Sequence, residues 1–289
     1  MFTNLFCKFL VSKHIISEDD FFAIKMEYNK TKVKLGLIAV SEKIMTAQQA
    51  DQVNRKQQRL DKRFGDIAVE MGFLTNAQVD RLLALQGNAY MQFCQCATDK
   101  GILSLMQIEN ALDEFQRENG FTITDMENFK SGDIDRILPL YLPQLPDGPL
   151  VDLLAVTFRS LIRLVSSDIS IKRGYITSNY QMQVHAIQKM EGDYNAMTAF
   201  SGDDKGILAV AEGFAKEFFN EVDINALDSV GEFINIADGL FVTAKSFEGM
   251  EINLYPPEFS KEPVDLSGSS IYVVPVEVDQ QPVDLLVRL

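Results

Sequence analysis

The 289-residue chain is poor in the side chains that most enzymes use. It has two histidines, His14 and His185, and three cysteines, Cys7, Cys94 and Cys96. HExxH, paired CxxC, GxxxxGK[ST] and GxSxG are all absent, so the motifs of zinc proteases, dithiol or zinc-ribbon sites, P-loop enzymes and serine hydrolases are missing. Three thiols cannot all pair internally, and no segment resembles a cleaved export signal, which points to the reducing cytoplasm. Long apolar runs are lacking too. The opening MFTNLFCKFLVSKHIIS is interrupted by Lys8 and Lys13 and falls in phase with a repeat, so it reads as packed helix and not as a membrane anchor. Positive charge is scarce in one half only. Residues 1–119 carry 15 basic and 15 acidic side chains, leaving 12 and 26 to residues 120–289, so the whole net charge of −14 lies there. Phosphate neutralisation needs clustered cations, which excludes nucleic acid as a natural partner for that half and favours a basic patch on another protein. Cys94-Gln95-Cys96 occupies repeat positions filled elsewhere by Gly36, Gly65, Ile38 and Ile67, and reads as buried thiols, not as a metal site. His185 reads as a structural or surface residue, and SGDDKG (201–206) as a turn.

What is present first is periodicity. Ile16, Met45, Leu74 and Leu103 recur every 29 residues, each followed by a hydroxyl residue: Ser17, Thr46, Thr75 and Ser104. Three residues after each hydroxyl stands Asp20, Gln49, Gln78 or Gln107, and the next residue is Phe21, Ala50, Val79 or Ile108. This is the spacing of a helix capping box with a hydrophobic staple. Each unit therefore reads as a helix, a tight turn and a capped second helix.

The length favours two domains. Residues 1–119 form the helical repeats. Residues 120–149, with Pro139, Pro143, Pro146 and Pro149, read as a connector in which no continuous helix can form. Residues 150–289 hold the second domain: a helix over 150–165, two strands around a Gly/Asp turn over 195–211, a short helix at 211–221 and a long one at 224–246. A strand at 250–255 stopped by Pro256 and Pro257, and a closing hairpin around DQQP with Pro275 at an edge or bulge, complete it. The expected class is α+β: an all-α repeat domain followed by an antiparallel sheet packed with helices.

Within the long helix, DSVGEFINIADGLFVTAKS (228–246) places Val230, Phe233, Ile234, Ala237, Phe241 and Ala244 on one side at about 100° per residue. Asp228, Glu232, Asn235, Gly239 and Ser246 cluster opposite. A helical glycine costs about 1 kcal/mol relative to alanine, so Gly239 suggests close approach by a partner. A carboxamide can hold a water in line, and a carboxylate one turn away can pair with a visiting cation. Such a pair suits a reaction whose other components arrive with the substrate, and an acyl phosphate carrying its own Mg²⁺ fits that description.

Asp228, Glu232 and Asn235, followed by Pro256 and Pro257, resemble the helix motif of the CheC/CheX family of chemotaxis phosphatases: an acidic or serine residue, Glu, Asn and a later proline. AMTAFSGDDKGILAVAEGFA, which precedes the helix, is similar to the family's strand, turn and strand leading into a helix. The likeness covers about residues 150–289. It implies that Glu232 contacts the active-site lysine of a phosphorylated response regulator, that Asn235 positions the hydrolytic water, and that Asp228 and Gly239 face the partner. Mg²⁺ would reside on the partner, with no cofactor held by this chain. The single motif resembles the CheX branch, which implies a homodimer. A second resemblance lies in KRFGDIAVEMGFLTNAQVDRLLALQ (62–86), which is similar to the N-terminal, MshEN-like segments of type II secretion and pilus assembly ATPases. Some members bind cyclic di-GMP, and here Arg63, Gly65, Gly72 and Gln86 occupy the polar and glycine positions. The preceding copy, 34–57, keeps Gly36 and Gln57 but has Lys34 and Lys43 for the arginine and the second glycine, and the outer copies have Tyr28 and Phe115 for the glutamine. Packing alone would also hold a glycine at a helix turn. Two functions follow: a response-regulator phosphatase with a regulatory or docking module, or a non-enzymatic binding or scaffold protein of chemotaxis, pilus or secretion signalling.

Overall fold

The computed structural model describes residues 1–31, 33–57, 62–143 and 148–289. They divide into two compact units, Phe2–Asp133 and Ile134–Leu289, the second also including Met1.

The first unit is the repeat array. Its helix pairs are α1 (Phe2–Ser12) with α2 (Glu18–Glu27), α3 (Leu35–Ser41) with α4 (Ala47–Gln57), α5 (Phe64–Glu70) with α6 (Asn76–Ala84), and α7 (Ala89–Asp99) with α8 (Leu105–Asn119). All four capping boxes form. Ser17, Thr46, Thr75 and Ser104 each accept from the amide three residues on, and the side chain at that third position accepts from the cap's own N–H. The turn inside each pair is set by one left-handed residue, and these also recur every 29 positions: His14 at φ 56°, Lys43 at 56°, Gly72 at 71° and Gly101 at 68°. Glycine relieves that conformation in the last two copies only. Around the outer copies an aromatic core collects Phe2, Phe6, Phe93, Phe115 and Phe129, with the Phe115 and Phe129 rings stacked at 4.6 Å. Cys7, Cys94 and Cys96 are buried free thiols, and burial pushes the thiols of Cys7 and Cys94 up, as expected for small apolar fillers.

The two middle copies hold each other. Gln57 Nε2 donates to the carbonyl of Lys62, in the lead-in to the next copy, and Gln86 Nε2 donates back to the carbonyl of Val33, in the lead-in to the previous one. The glycines match this exchange. A Cβ on Gly36 would fall 2.9 Å from the Phe64 ring, and one on Gly65 would fall 2.9 Å from Val79 and 3.5 Å from Leu35. Both positions are therefore closed to side chains by packing.

Residues 120–149 are more ordered than a plain connector. They hold α9 (Ile123–Ser131), capped by Thr122 and ended by left-handed Gly132, and α10 (Ile134–Tyr141), which accommodates Pro139 within its length. Pro139 lies in the last turn of α10, so its missing N–H removes one bond near the end of the helix and leaves the first turn intact. Pro149 opens α11 (Pro149–Ser160), where its missing N–H was free in any case, and a π turn over 161–165 continues it. Pro146 lies outside the described residues.

The second unit is α+β. Its strands are β1 (Ile169–Ile171), β2 (Tyr175–Met182), β3 (Val184–Gly192), β4 (Ala196–Gly202), β5 (Ile252–Leu254), β6 (Glu258–Ser260), β7 (Val264–Val278) and β8 (Gln281–Arg288). The strand pairings among the described residues are all antiparallel, in the order β1-β7-β8-β4-β3-β5, with β2 also on β7 and β6 also on β3. Besides α10 and α11, the unit holds α12 (Asp204–Ala215) against β4 and β8, and α13 (Ile224–Phe247) against β3, β4 and α11. A separate apolar cluster of Met182, Met197, Ala199, Ile271, Val273 and Leu286 buries alternate residues of the same strands.

Three expectations are corrected. Residues 195–211 are one strand and the start of a helix, because Asp203 caps α12 by accepting from the Gly206 amide at 2.8 Å. The short helix expected at 211–221 is accordingly α12, displaced toward the N-terminus. Pro275 is neither at a sheet edge nor in a bulge. It lies in β7 opposite Asp284 of β8, where the neighbour on the other side changes from β2 to β1, so a missing donor is tolerated.

Candidate functional site

Helix α13 begins at Asp223, whose side chain accepts from the Ala226 amide at 2.9 Å. Its buried side holds Val230, Phe233, Ile234, Ala237 and Phe241, all without exposed surface. Phe233 meets Phe200 of β4 and Phe214 of α12 edge-on, at 5.7 and 5.9 Å. At about 25 cal/mol per Å², burying each phenylalanine contributes roughly 2–3 kcal/mol, which sets the rotation of the helix. Ala244, expected on this side, is exposed. Lys245 is buried in its place and ion-pairs with Asp152 of α11 and with Glu248.

That rotation leaves Asp228, Glu232 and Asn235 exposed along one line, with Gly239 half-buried beyond them. A Cβ added at Gly239 would meet nothing within 4 Å, so this stretch of backbone is open. Ile236 and Leu240, about two-fifths exposed, flank it with apolar surface. Pro257 sits under the helix: a Cβ on Gly231 would come within 3.1 Å of it, and the absence of a side chain at Gly231 lets the proline loop approach beside Glu232.

Asn235 is exposed but not loose. Its Oδ1 accepts from Gln188 Nε2 of β3 at 2.8 Å, and the same nitrogen donates to the backbone carbonyl of Tyr255 at 2.9 Å. Below this contact is a buried polar layer. Thr198 of β4 is the cross-strand partner of Gln188, and Asp238 of α13 is fully buried beside it. Burial pushes the Asp238 carboxyl up to about 8, and the neighbouring Thr198 hydroxyl holds the rise back. That hydroxyl is close without hydrogen-bonding geometry. Neither Asp238 oxygen, nor Thr198 Oγ1, nor Gln188 Oε1 has a partner among the described residues.

In the repeat unit, Arg63, Gly65 and Gln86 line one cleft of about 740 Å³ together with Lys34, Gln57 and Asp80. Gly72 is not among its walls. It serves the left-handed turn after α5 instead. Both glutamines already spend their amide nitrogens on backbone carbonyls. His185 is a structural residue: buried in β3, its Nδ1 lies 2.7 Å from the carbonyl oxygen of Gln183.

Gln188 and Asp238 escape a motif-based reading, yet each leaves a trace. Ala186, Gln188 and Met190 are buried at alternate positions, so an amide interrupts a period-two apolar pattern. Asp238 stands one turn after Ile234 and three residues before Phe241, a carboxylate on the apolar stripe.

The arrangement is an outward carboxylate and a braced carboxamide beside open backbone. It can engage a cation and orient a water, provided that electrophile and metal come from elsewhere. No helix among the described residues is long and apolar enough to cross a membrane.

The family model "Chemotaxis phosphatase CheX" matches residues 184–275, the stretch that contains β3, β4, α12 and α13. Similar solved structures cover the C-terminal half. A CheC-like superfamily protein from Shewanella sp. PV-4 is 14% identical with a TM-score of 0.44, over 50% of this chain and 98% of that one. A chemotaxis protein CheX from Desulfovibrio desulfuricans is 16% identical with a TM-score of 0.41, over 48% and 97%. A CheX–CheY–BeF3–Mg²⁺ complex from Borrelia burgdorferi gives 18% and 0.39, over 50% and 98%. No curated protein matches the chain. Residues 184–275 are thus CheX-like by their family match.

Proposed function

We propose that the C-terminal unit is a phosphatase that hydrolyses the aspartyl phosphate of a response regulator, with the repeat unit as its regulatory or docking module. The observation that carries this reading is the exposed Glu232 and braced Asn235, one turn apart beside open backbone at Gly239, inside the segment matched by the family model. Glu232 meets the lysine of the regulator's active site. Asn235 enters beside the acyl phosphate and holds a water in line with the phosphorus, while Mg²⁺ bound by the regulator neutralises the phosphoryl oxygens. Positioning of this kind is the main protein contribution to phosphoryl transfer. Asp228, one turn before Glu232, extends the acidic line toward the partner, in keeping with the negative charge of this half.

The test is the rate of phosphate loss from purified receiver domains with and without the protein. A panel of cognate receivers whose dephosphorylation it leaves unchanged would sink the proposal. Glu232→Gln is expected to raise the receiver concentration for half-maximal rate about tenfold, with a smaller fall in kcat. Because the lost attraction is ionic, the penalty should shrink as salt is raised from about 0.05 to 0.5 M. A KM effect indifferent to salt would remove the assigned lysine contact.

A second reading concerns the repeats. Arg63, Gly65 and Gln86 share one cleft with Lys34, Asp66 and Asp80, and cyclic di-GMP is the ligand that the MshEN-like resemblance implies. On this reading the chain is a binding module, with or without catalysis. Calorimetry should show heat with cyclic di-GMP that Arg63→Ala reduces at least about tenfold. No heat at high micromolar nucleotide would end it.

A further inference from the structure

Gln188 lies in β3, 1% exposed, and no motif marks it. Its Nε2 donates to two acceptors at once, Asn235 Oδ1 at 2.8 Å and the carbonyl oxygen of Tyr255 at 2.9 Å. A backbone carbonyl can only accept. Tyr255 therefore dictates that Gln188 presents its nitrogen, and Gln188, with both N–H bonds committed, dictates that Asn235 turns its oxygen inward. Without this chain an exposed carboxamide could rotate by half a turn and present either end.

The anchor is itself fixed. The Tyr255 amide donates to the carbonyl of Lys189 at 3.0 Å, and its hydroxyl donates to Glu191 at 2.8 Å. Two residues on, Pro257 lies against α13 at Gly231. Strand β3 thus carries both the residue that sets Asn235 and the residues that hold the anchor.

We infer that Gln188 is the positioning residue of this site, tethering the Asn235 oxygen so that the amide nitrogen points outward. The inference rests on the phosphatase reading. An outward N–H pair complements phosphoryl oxygens and the oxygen of an attacking water, whereas an outward carbonyl would face the phosphoryl oxygens with like partial charge. Asn235 acts here by hydrogen bonding alone, since a carboxamide neither gives up nor takes a proton.

Gln188→Met keeps the length of the side chain and removes both donors. With a charged receiver as substrate, it is expected to lower kcat about ten- to a hundredfold while KM changes less than about twofold, because Glu232 still docks the partner. In an Asn235→Ala background the same change should leave the residual rate unaltered, as it acts only through Asn235. Side-chain amide ¹⁵N relaxation supplies a readout independent of turnover: the Asn235 NH₂ group is rigid in the wild type and mobile in Gln188→Met. If the wild type is active but Gln188→Met keeps its kcat, or lowers the rate equally in the Asn235→Ala background, Gln188 does not position Asn235. If the wild type is inactive on every receiver, the phosphatase reading fails by itself, and the relaxation measurement still decides whether Gln188 orders the amide. An Asn235 amide equally rigid in both proteins overturns the inference.

Discussion

Asn235→Ala is expected to reduce the acceleration of receiver dephosphorylation by on the order of 10²-fold or more, with receiver binding nearly unchanged. The side chain is exposed, so no cavity forms. One buried donor loses a partner, but Gln188 Nε2 keeps its bond to the Tyr255 carbonyl, which limits the stability loss to about 1 kcal/mol. A melting temperature within a few degrees of the wild type, together with abolished turnover, would separate chemistry from folding. Asn235→Asp sharpens the test. It retains an acceptor for Gln188 but replaces the outward NH₂ with an anion beside a phosphoryl group, so it should be as inactive as the alanine variant. Activity near the wild-type level in either protein would end the role given to Asn235.

Asp238→Asn is expected to stabilise the fold, increasingly as pH rises. Burial holds the folded carboxyl's pKa at about 8, far above that of the unfolded chain. Between those two values the native state must keep a proton that the unfolded chain releases, so Asp238 lowers stability progressively from about pH 4 to about pH 8 and no further above it. The neutral asparagine has almost the same volume and no such linkage. The stability difference between variant and wild type should therefore be small near pH 4 and reach on the order of several kcal/mol by pH 8, measured by denaturant unfolding across that range. Other carboxylates titrate in both proteins and cancel in the difference. A gap that does not change with pH would show that Asp238 does not carry its proton into the native state.

The sequence revealed most where periodicity and local chemistry coincide. The 29-residue recurrence of hydroxyl and Gln or Asp prescribed helix starts at Ser17, Thr46, Thr75 and Ser104, and each cap forms because its partners are only three residues apart. The rotation of α13 was legible for the same reason, since large side chains such as Phe233 and Phe241 decide which side is buried. Ala244 was not: a methyl group exerts little rotational preference, and the ion pairs of Lys245 with Asp152 and Glu248 draw that end of the helix inward. Strand β2 carries no strand signature in the sequence because most of its residues are exposed or half-exposed, so it shows no apolar alternation. The start of α12 reads as a strand because GILAVA suits either state, and the Asp203 cap together with the fit against β4 and β8 resolves it. Of the candidate site, Glu232, Asn235 and Gly239 could be placed from helical spacing. Gln188 could not, because a contact spanning 47 positions leaves no local signature.

The exchange of glutamine contacts between the middle repeats changes what counts as an independent piece of that array. The backbone oxygen of Val33 is satisfied from one copy downstream and that of Lys62 from one copy upstream. Each copy thus supplies a side-chain donor to a backbone carbonyl of the other. The natural subunit of this region is therefore a doublet with its own internal pseudo-symmetry, and one repeat cannot be inserted or lost there without disturbing its twin.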